Sequence, residues 1–132
     1  MRPQCSIIPT DKHDLLTSTA LADVATIGPH GEPQVNPVWF LWDGERIRFA
    51  TTRGTQKIRN LHRDPRIALA IVDPANPGRY LEIRGHATFA PDPDAAVINL
   101  LYQKYMGIDT HPEPKLDWVV VVIEPEHISQ MG

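Results

Sequence analysis

The sequence predicts a mostly β (α+β) fold, six antiparallel strands closing a small barrel with short helices at its periphery. Three observations predict it. Six apolar stretches of strand length are separated by turns rich in Gly, Pro and Asp, only three stretches have helical character, and none of those is long. No internal repeat, low-complexity tract or linker divides the 132 residues, so they are read as a single domain, residues 1–132.

The elements follow in order. Thr10 can cap a helix of about two turns, with Asp11 near its positive end and Leu15 and Leu16 on its apolar side. Residues 21–27 read as the first strand, and Gly28, Pro29, Gly31 and Pro33 mark a turn. The second strand is expected from about 34 to 42. Asp43-Gly44 is a hairpin signal, because both central residues of a type I′ turn need positive φ. The third strand, 46–52, alternates Ile47 and Phe49 with Arg46, Arg48 and Ala50, the period of a half-buried strand.

Thr55 stands where a second helix would be capped, with Ile58 and Leu61 inward and Asp64-Pro65 ending it. Strands follow at 67–72 and at about 79–89, around a turn-rich 73–78. Asp92 as cap and Pro93 as first residue start a third helix that runs to about Met106, with Val97, Leu100, Leu101 and Tyr105 on its apolar stripe. Residues 107–117, containing Asp109, His111, Pro112, Glu113, Pro114 and Lys115, read as an exposed loop and candidate lid. The last strand covers 118 to about 124.

Charge narrows the function. The formal net charge is −3, which disfavours a nucleic-acid role. A lone cysteine, Cys5, cannot form an intramolecular disulfide, and with no signal-peptide pattern the expected location is cytoplasmic. The apolar run 118–123 is far shorter than the roughly 20 residues of a membrane helix. His13, His30, His62, His86, His111 and His127 show no metal-ligand spacing, so no metal site is expected. Asp92, Asp94, Glu124 and Glu126 read as solvated groups flanking turns and helix starts, and His86 as an exposed strand residue.

The segment from Arg53 to Arg66 breaks the overall balance, with Arg53, Lys57, Arg59, Arg63 and Arg66 against the single acid Asp64. Just before it, Thr51, Thr52 and Thr55 bring hydroxyls to the start of a helix whose free N–H groups favour an anion. Lys57 adds a charge in the first turn, and Arg53 can fold back as a bidentate donor. Lys57 and Arg59 lie about 200° apart on a helix, so both reach one ligand only if it carries more than one anionic group. Composition alone leaves two readings open, a phosphate site or a capped helix with a solvated basic face.

Spacing adds to composition. Phe49-x-Thr51-x-x-x-Thr55-x-Lys57, followed by Pro65-Arg66-x-Ala68-Leu69, resembles the cofactor-phosphate segment of the pyridoxamine 5′-phosphate oxidase-like family. Leu21-Ala22-x-Val24-Ala25-Thr26-Ile27-Gly28-x-x-Gly31-x-Pro33, Pro37-Val38-Trp39-Phe40 and Lys57-x-Arg59-Asn60-Leu61-x-Arg63-Asp64-Pro65-Arg66 are similar to its deazaflavin-dependent branch. The likeness spans nearly the whole chain and is most specific over 21–72.

The resemblance implies an FMN-binding-type split β-barrel, homodimeric, with two equivalent cofactor sites in grooves between the subunits. The cofactor ring would lie near Asn36, Pro37, Val38 and Trp39, and its phosphate near Thr51, Thr52, Arg53, Thr55, Lys57, Arg59 and Asn60. FMN-using relatives carry a phosphate-binding arginine near the start of the 38–41 segment, where this chain has Asn36 and Pro37. That departure, and the spread of cations suited to a phosphodiester with an oligoglutamate tail, point to coenzyme F420, with FMN as the alternative.

The activity so implied is hydride transfer from reduced deazaflavin to an electron-poor small molecule such as an enone, lactone, quinone or tetrapyrrole, with no catalytic side chain required. A non-enzymatic haem or tetrapyrrole module is the reading from another class. Trp39 is open between ring stacking and core or dimer packing, as are Tyr102, Tyr105 and Met106 between groove lining and core.

Overall fold

The computed structural model describes residues 7–92, 94–112 and 116–132. A 3₁₀ turn, Thr10–Lys12, runs into α1 (His13–Thr17), and together they supply the two turns expected. Then come β1 (Ala22–Ile27), β2 (Pro33–Val38), β3 (Leu41–Trp42), β4 (Ile47–Thr52), α2 (Gln56–Arg63), β5 (Arg66–Asp73), β6 (Asn76–Pro91), α3 (Ala96–Met106) and β7 (Trp118–Met131). The strands form one antiparallel sheet in the order β2-β1-β5-β6-β7-β4-β3, curled into the split barrel.

Seven strands replace the expected six, because the long second strand breaks at Trp39 and Phe40. Up to Val38 it pairs with β1, through Ala22↔Val38, and from Leu41 it pairs with β4, through Leu41↔Arg48. The two edge strands of the sheet are thus joined by two residues. Three residue steps span roughly 11 Å at most, so the sheet has to curl until its edges nearly meet. Pro33 and Pro37, which cannot donate to a ladder, sit on this edge strand.

Other boundaries shift as well, the first of them for a local reason. Only Gly44 of the Asp43-Gly44 pair has positive φ, and the turn is wider than a two-residue hairpin. Asp43 Oδ1 accepts from the N–H groups of Glu45 (2.9 Å) and Arg46 (2.7 Å), so the carboxylate organises a four-residue loop. β6 takes in part of the expected turn at 73–78, and β7 runs on to Met131.

That extension changes the reading of two acids. Glu124 and Glu126 lie within a strand, where Glu124 pairs with Arg46 and Glu126 meets His86 Nδ1 at 2.8 Å. A bulge between Arg84 and Gly85 accompanies the longer pairing. At Gly85 an added Cβ would fall 1.9 Å from the Glu124 carbonyl oxygen, so this close approach requires glycine.

α3 begins at Ala96, and Pro93, the expected first residue, lies outside the described residues. The cap is nonetheless Asp92, acting from a distance: Oδ1 accepts from Val97 N–H at 3.1 Å and Oδ2 from Ile98 N–H at 3.2 Å. Asp92 is therefore buried rather than solvated. The apolar stripe falls on Ile98, Leu101 and Tyr105, while Leu100 is 49% exposed and off it.

The barrel interior is packed by Ile47, Phe49, Ile71, Leu81, Ile83, Val121 and their neighbours. A second, smaller cluster lies between α3 and the outside of β4, built on Ala95, Ile98 and Leu101 with Trp39, Tyr102, Tyr105 and Trp118 against it. Among the described residues no helix is long and apolar enough to cross a membrane, and no group of metal-ligating side chains gathers.

Candidate functional site

β4 ends at Thr52, and a tight turn delivers the chain to α2. Thr55 has the extended backbone of an N-cap residue (φ −74°, ψ 154°), as its position predicts. Its hydroxyl, however, turns back and donates to the Thr52 carbonyl at 3.2 Å, so no side chain caps the helix. The first-turn N–H groups thereby keep the anion-favouring character that a capping oxygen would have consumed.

One turn of α2 carries Lys57 to the mouth of a cleft of about 320 Å³, at the low end of the usual range for small-molecule sites. Leu21, Pro37, Val38, Trp39, Ala50, Thr51, Lys57, Ile98 and Leu101 line it. Apart from Thr51, Lys57 and the indole N–H of Trp39, the side chains that line the cleft are apolar. Lys57 is half-buried, with no hydrogen-bond or ion-pair partner among the described residues, and desolvation holds its pKa below the usual lysine value.

Such an ammonium is in an unfavourable position until an anion joins it. An anionic group carried on a flat apolar body satisfies both features of the lining at once.

The structure divides the expected site residues. Pro37, Val38, Trp39, Thr51 and Lys57 are brought together at the cleft. Asn36 lies on the same edge strand, paired with Val24, and Thr52 at the end of β4 pairs with Trp118 and gives its carbonyl to Thr55. Neither lines the cleft.

The arginines behave differently from what their sequence positions suggest. Arg53 does not fold back over the helix start, because its Nε donates to Asp117 at 3.0 Å. Arg59 curls over its own helix instead, donating to the Gly54 carbonyl (2.6 Å) and to Gln56 (2.7 Å). Arg63 donates to the Ile27 carbonyl, and Arg66 is held by Asp64, whose pKa its guanidinium helps lower to about 2. Of the five cations in this segment, Lys57 alone reaches the cleft, with no partner among the described residues.

Asn60 is fully buried and committed to the fold. Its Nδ2 donates to Thr26 Oγ1 (3.0 Å) and Gln34 Oε1 (2.9 Å), and its Oδ1 accepts from Gln56 (2.7 Å) and Arg63 (3.3 Å). The amide ties α2 to β1 and β2, and with its groups used it has nothing left to offer a ligand in the Lys57 cleft.

Trp39 packs against α3, as the core reading expects, and also reaches the cleft. Its indole stacks on Tyr105 (5.2 Å between centroids, 5° between planes), meets Tyr102 edge-on at 5.0 Å, and still lines the cleft. Sequence reasoning missed Leu21, Ala50, Ile98 and Leu101 as lining. Their apolar character carries no signal of which apolar partner they will face.

The expected loop at 107–117 is anchored at His111. Its N–H donates to Asn99 Oδ1 at 2.8 Å, and its ring packs on Tyr102 and Trp118. Glu113, Pro114 and Lys115, central to the lid expectation, lie outside the described residues.

A family model described as pyridoxamine 5′-phosphate oxidase matches residues 9–132. Among solved structures, one described as an F420 reductase is 41% identical with a TM-score of 0.86, covering 92% of this chain and 98% of that one. A conserved hypothetical protein from Mycobacterium tuberculosis is 25% identical with a TM-score of 0.77, covering 99% and 89%. The heme storage protein HutZ from Vibrio cholerae, 15% identical with a TM-score of 0.69 over 92% and 93%, shares the fold. No curated protein matches the sequence.

Proposed function

The chain belongs to the pyridoxamine 5′-phosphate oxidase family, and from that premise we propose that it is an F420-dependent oxidoreductase. It passes a hydride between reduced deazaflavin and an electron-poor conjugated small molecule, an enone, lactone, quinone or tetrapyrrole. The observation that carries this reading is the half-buried Lys57, without a partner among the described residues, beside Thr51 in a cleft whose other side chains are mainly apolar and walled by Trp39. The 41% identity to a protein described as an F420 reductase supports the deazaflavin over FMN.

When bound, the cofactor supplies the hydride chemistry, and the chain's residues supply position and dryness. Lys57 would hold the phosphodiester through a charge-assisted contact, and the Thr51 hydroxyl would add a second. Pro37, Val38 and Trp39 would hold the ring, and Ile98 and Leu101 would keep water from that side. No side chain is assigned to proton transfer. Arg53, Arg59 and Arg63 are engaged by the protein, so the polyanionic tail would meet them only by exchanging those contacts. The working unit in this reading is a cytoplasmic homodimer, whose partner chain closes the open side of the cleft.

The test is retention. Purified protein is mixed with F420 and, separately, with FMN, passed through gel filtration, and the retained cofactor is assayed in its reduced form against a panel of unsaturated acceptors. Retention of F420 with turnover is expected. Retention of FMN alone, or a Soret band with no turnover, overturns the assignment.

A further inference from the structure

We propose that Tyr105 is a positioning residue: by pinning the two-residue crossover between β2 and β3, its hydroxyl sets the plane of Trp39, the aromatic wall of the cleft. Its consequence for ligand binding rests on the functional reading above, whereas its geometry stands independently.

Trp39 and Phe40 lie where the chain has left β1 and not yet joined β4, so no strand pairing holds their backbone. Unpaired backbone groups in a partly buried segment need partners. Two consecutive residues of α3 provide them. Phe40 N–H donates to Tyr105 Oη at 3.3 Å, and the Phe40 carbonyl accepts from Lys104 Nζ at 2.8 Å.

Tyr105 Oη in turn donates to the Ala20 carbonyl at 2.9 Å, just ahead of β1. One hydroxyl therefore joins the crossover to the chain entering the first strand. The ring of the same tyrosine lies parallel to the Trp39 indole, and Tyr102 closes on its edge. The indole is held by α3, yet it is the cleft that its remaining surface lines.

Ring and hydroxyl make separable contributions. The ring contributes packing, as any aromatic at this position of the stripe would. The hydroxyl fixes where the crossover sits beneath that ring, and hence the tilt at which Trp39 faces a ligand. A small change of tilt alters a stacking surface without unfolding anything.

The experiment uses the full chain and Tyr105→Phe, which keeps the ring and removes both hydroxyl contacts. The first readout is the indole N–H resonance of Trp39, assigned with Trp39→Phe, against the Trp42 resonance as internal reference. The second is the F420 dissociation constant from a fluorescence titration. A displaced Trp39 resonance, an unmoved Trp42 resonance and affinity for F420 reduced fivefold or more are expected.

Lys104→Met, which removes the other crossover contact, is expected to move both readouts in the same direction, and Lys104→Arg to restore them. It carries the test if Tyr105→Phe does not fold. A lowered melting temperature with both readouts unchanged overturns the proposal. Should the wild-type chain fail to bind F420, the functional reading falls and the Trp39 resonance alone decides the positioning role.

Discussion

Lys104 and Phe40 meet twice: the ammonium donates to the Phe40 carbonyl at 2.8 Å and stands 4.1 Å from the centroid of the same residue's ring. The Tyr105 ring lies 4.8 Å away on the next residue of the helix. The contact closes the seam at which the edges of the curled sheet come together, and it does so with a partly buried charge.

Burial depresses the Lys104 pKa to about 8 from 10.5. Below pH 8 the residue is protonated in both the folded and the unfolded chain, and the desolvation penalty is fully present. Between about 8 and 10.5 the folded chain has released the proton and the unfolded chain still holds it, so this residue's contribution to stability rises with pH. Urea midpoints of wild type and Lys104→Met, compared from pH 7 to 10.5, should shift in favour of wild type across that window. A difference independent of pH would remove Lys104 as its source.

Lys57→Ala is expected to weaken F420 binding by about 1.5 kcal/mol, or about tenfold, through loss of a charge-assisted phosphate contact. A fluorescence titration reads it. Because the lysine's pKa is lowered, affinity in the wild type should also decline as alkaline pH removes its proton, a decline that the alanine variant lacks. An unchanged dissociation constant would take Lys57 out of the site.

Asn60→Ala should lower unfolding stability by about 2–3 kcal/mol, since Thr26 and Gln34 lose a buried partner and a small cavity remains. Urea denaturation with an unaltered m-value is the appropriate check. F420 affinity of the folded fraction should stay near wild type, which separates this structural amide from the cleft residues.

Gly85→Ala is expected to cost about 3 kcal/mol or more, because the new methyl group would overlap the Glu124 carbonyl at the bulge. Thermal unfolding by circular dichroism measures it, and a loss under 1 kcal/mol would mean that the two strands can part locally at little cost.

Light scattering after size exclusion should give twice the chain mass of 14.8 kDa. Val35 on the edge strand is 63% exposed and Leu21 at the cleft is 46% exposed. A partner chain would cover such groups. A stable monomer would leave the proposed cleft open on one side and contradict the homodimer.

Local chemistry made much of the fold legible. Ile47 and Phe49 are buried as their alternation requires, Thr55 stands at the start of α2, and Asp64 ends it. The Asp43-Gly44 turn widened through a local contact of its own carboxylate, and the other errors trace to distant partners. Asp92 caps α3 across four intervening residues, and Glu124 and Glu126 belong to a strand whose length is set by pairing with β6. The second strand breaks because its neighbour changes from β1 to β4, an event with no mark in residues 34–42.

The candidate site divides along the same line. The motif that ends in Lys57 is a matter of residue type and spacing, and its bearer does reach a cleft with Thr51 and Trp39. Which cations are free to act there is decided by three-dimensional competition. Arg53 found Asp117, Arg59 the turn before its own helix, and Arg63 the end of β1.

By itself the sequence determined the barrel class, the family and the lysine-bearing helix, since each depends on patterns carried by neighbours along the chain. Tertiary structure alone decided that Lys57 stands without a partner among the described residues, that Asn60 is a strut, and that α3 forms the far wall of the cleft. Side-chain charge and amide groups bind whichever complementary group folding brings nearest, and that choice belongs to the closed sheet rather than to any segment of it.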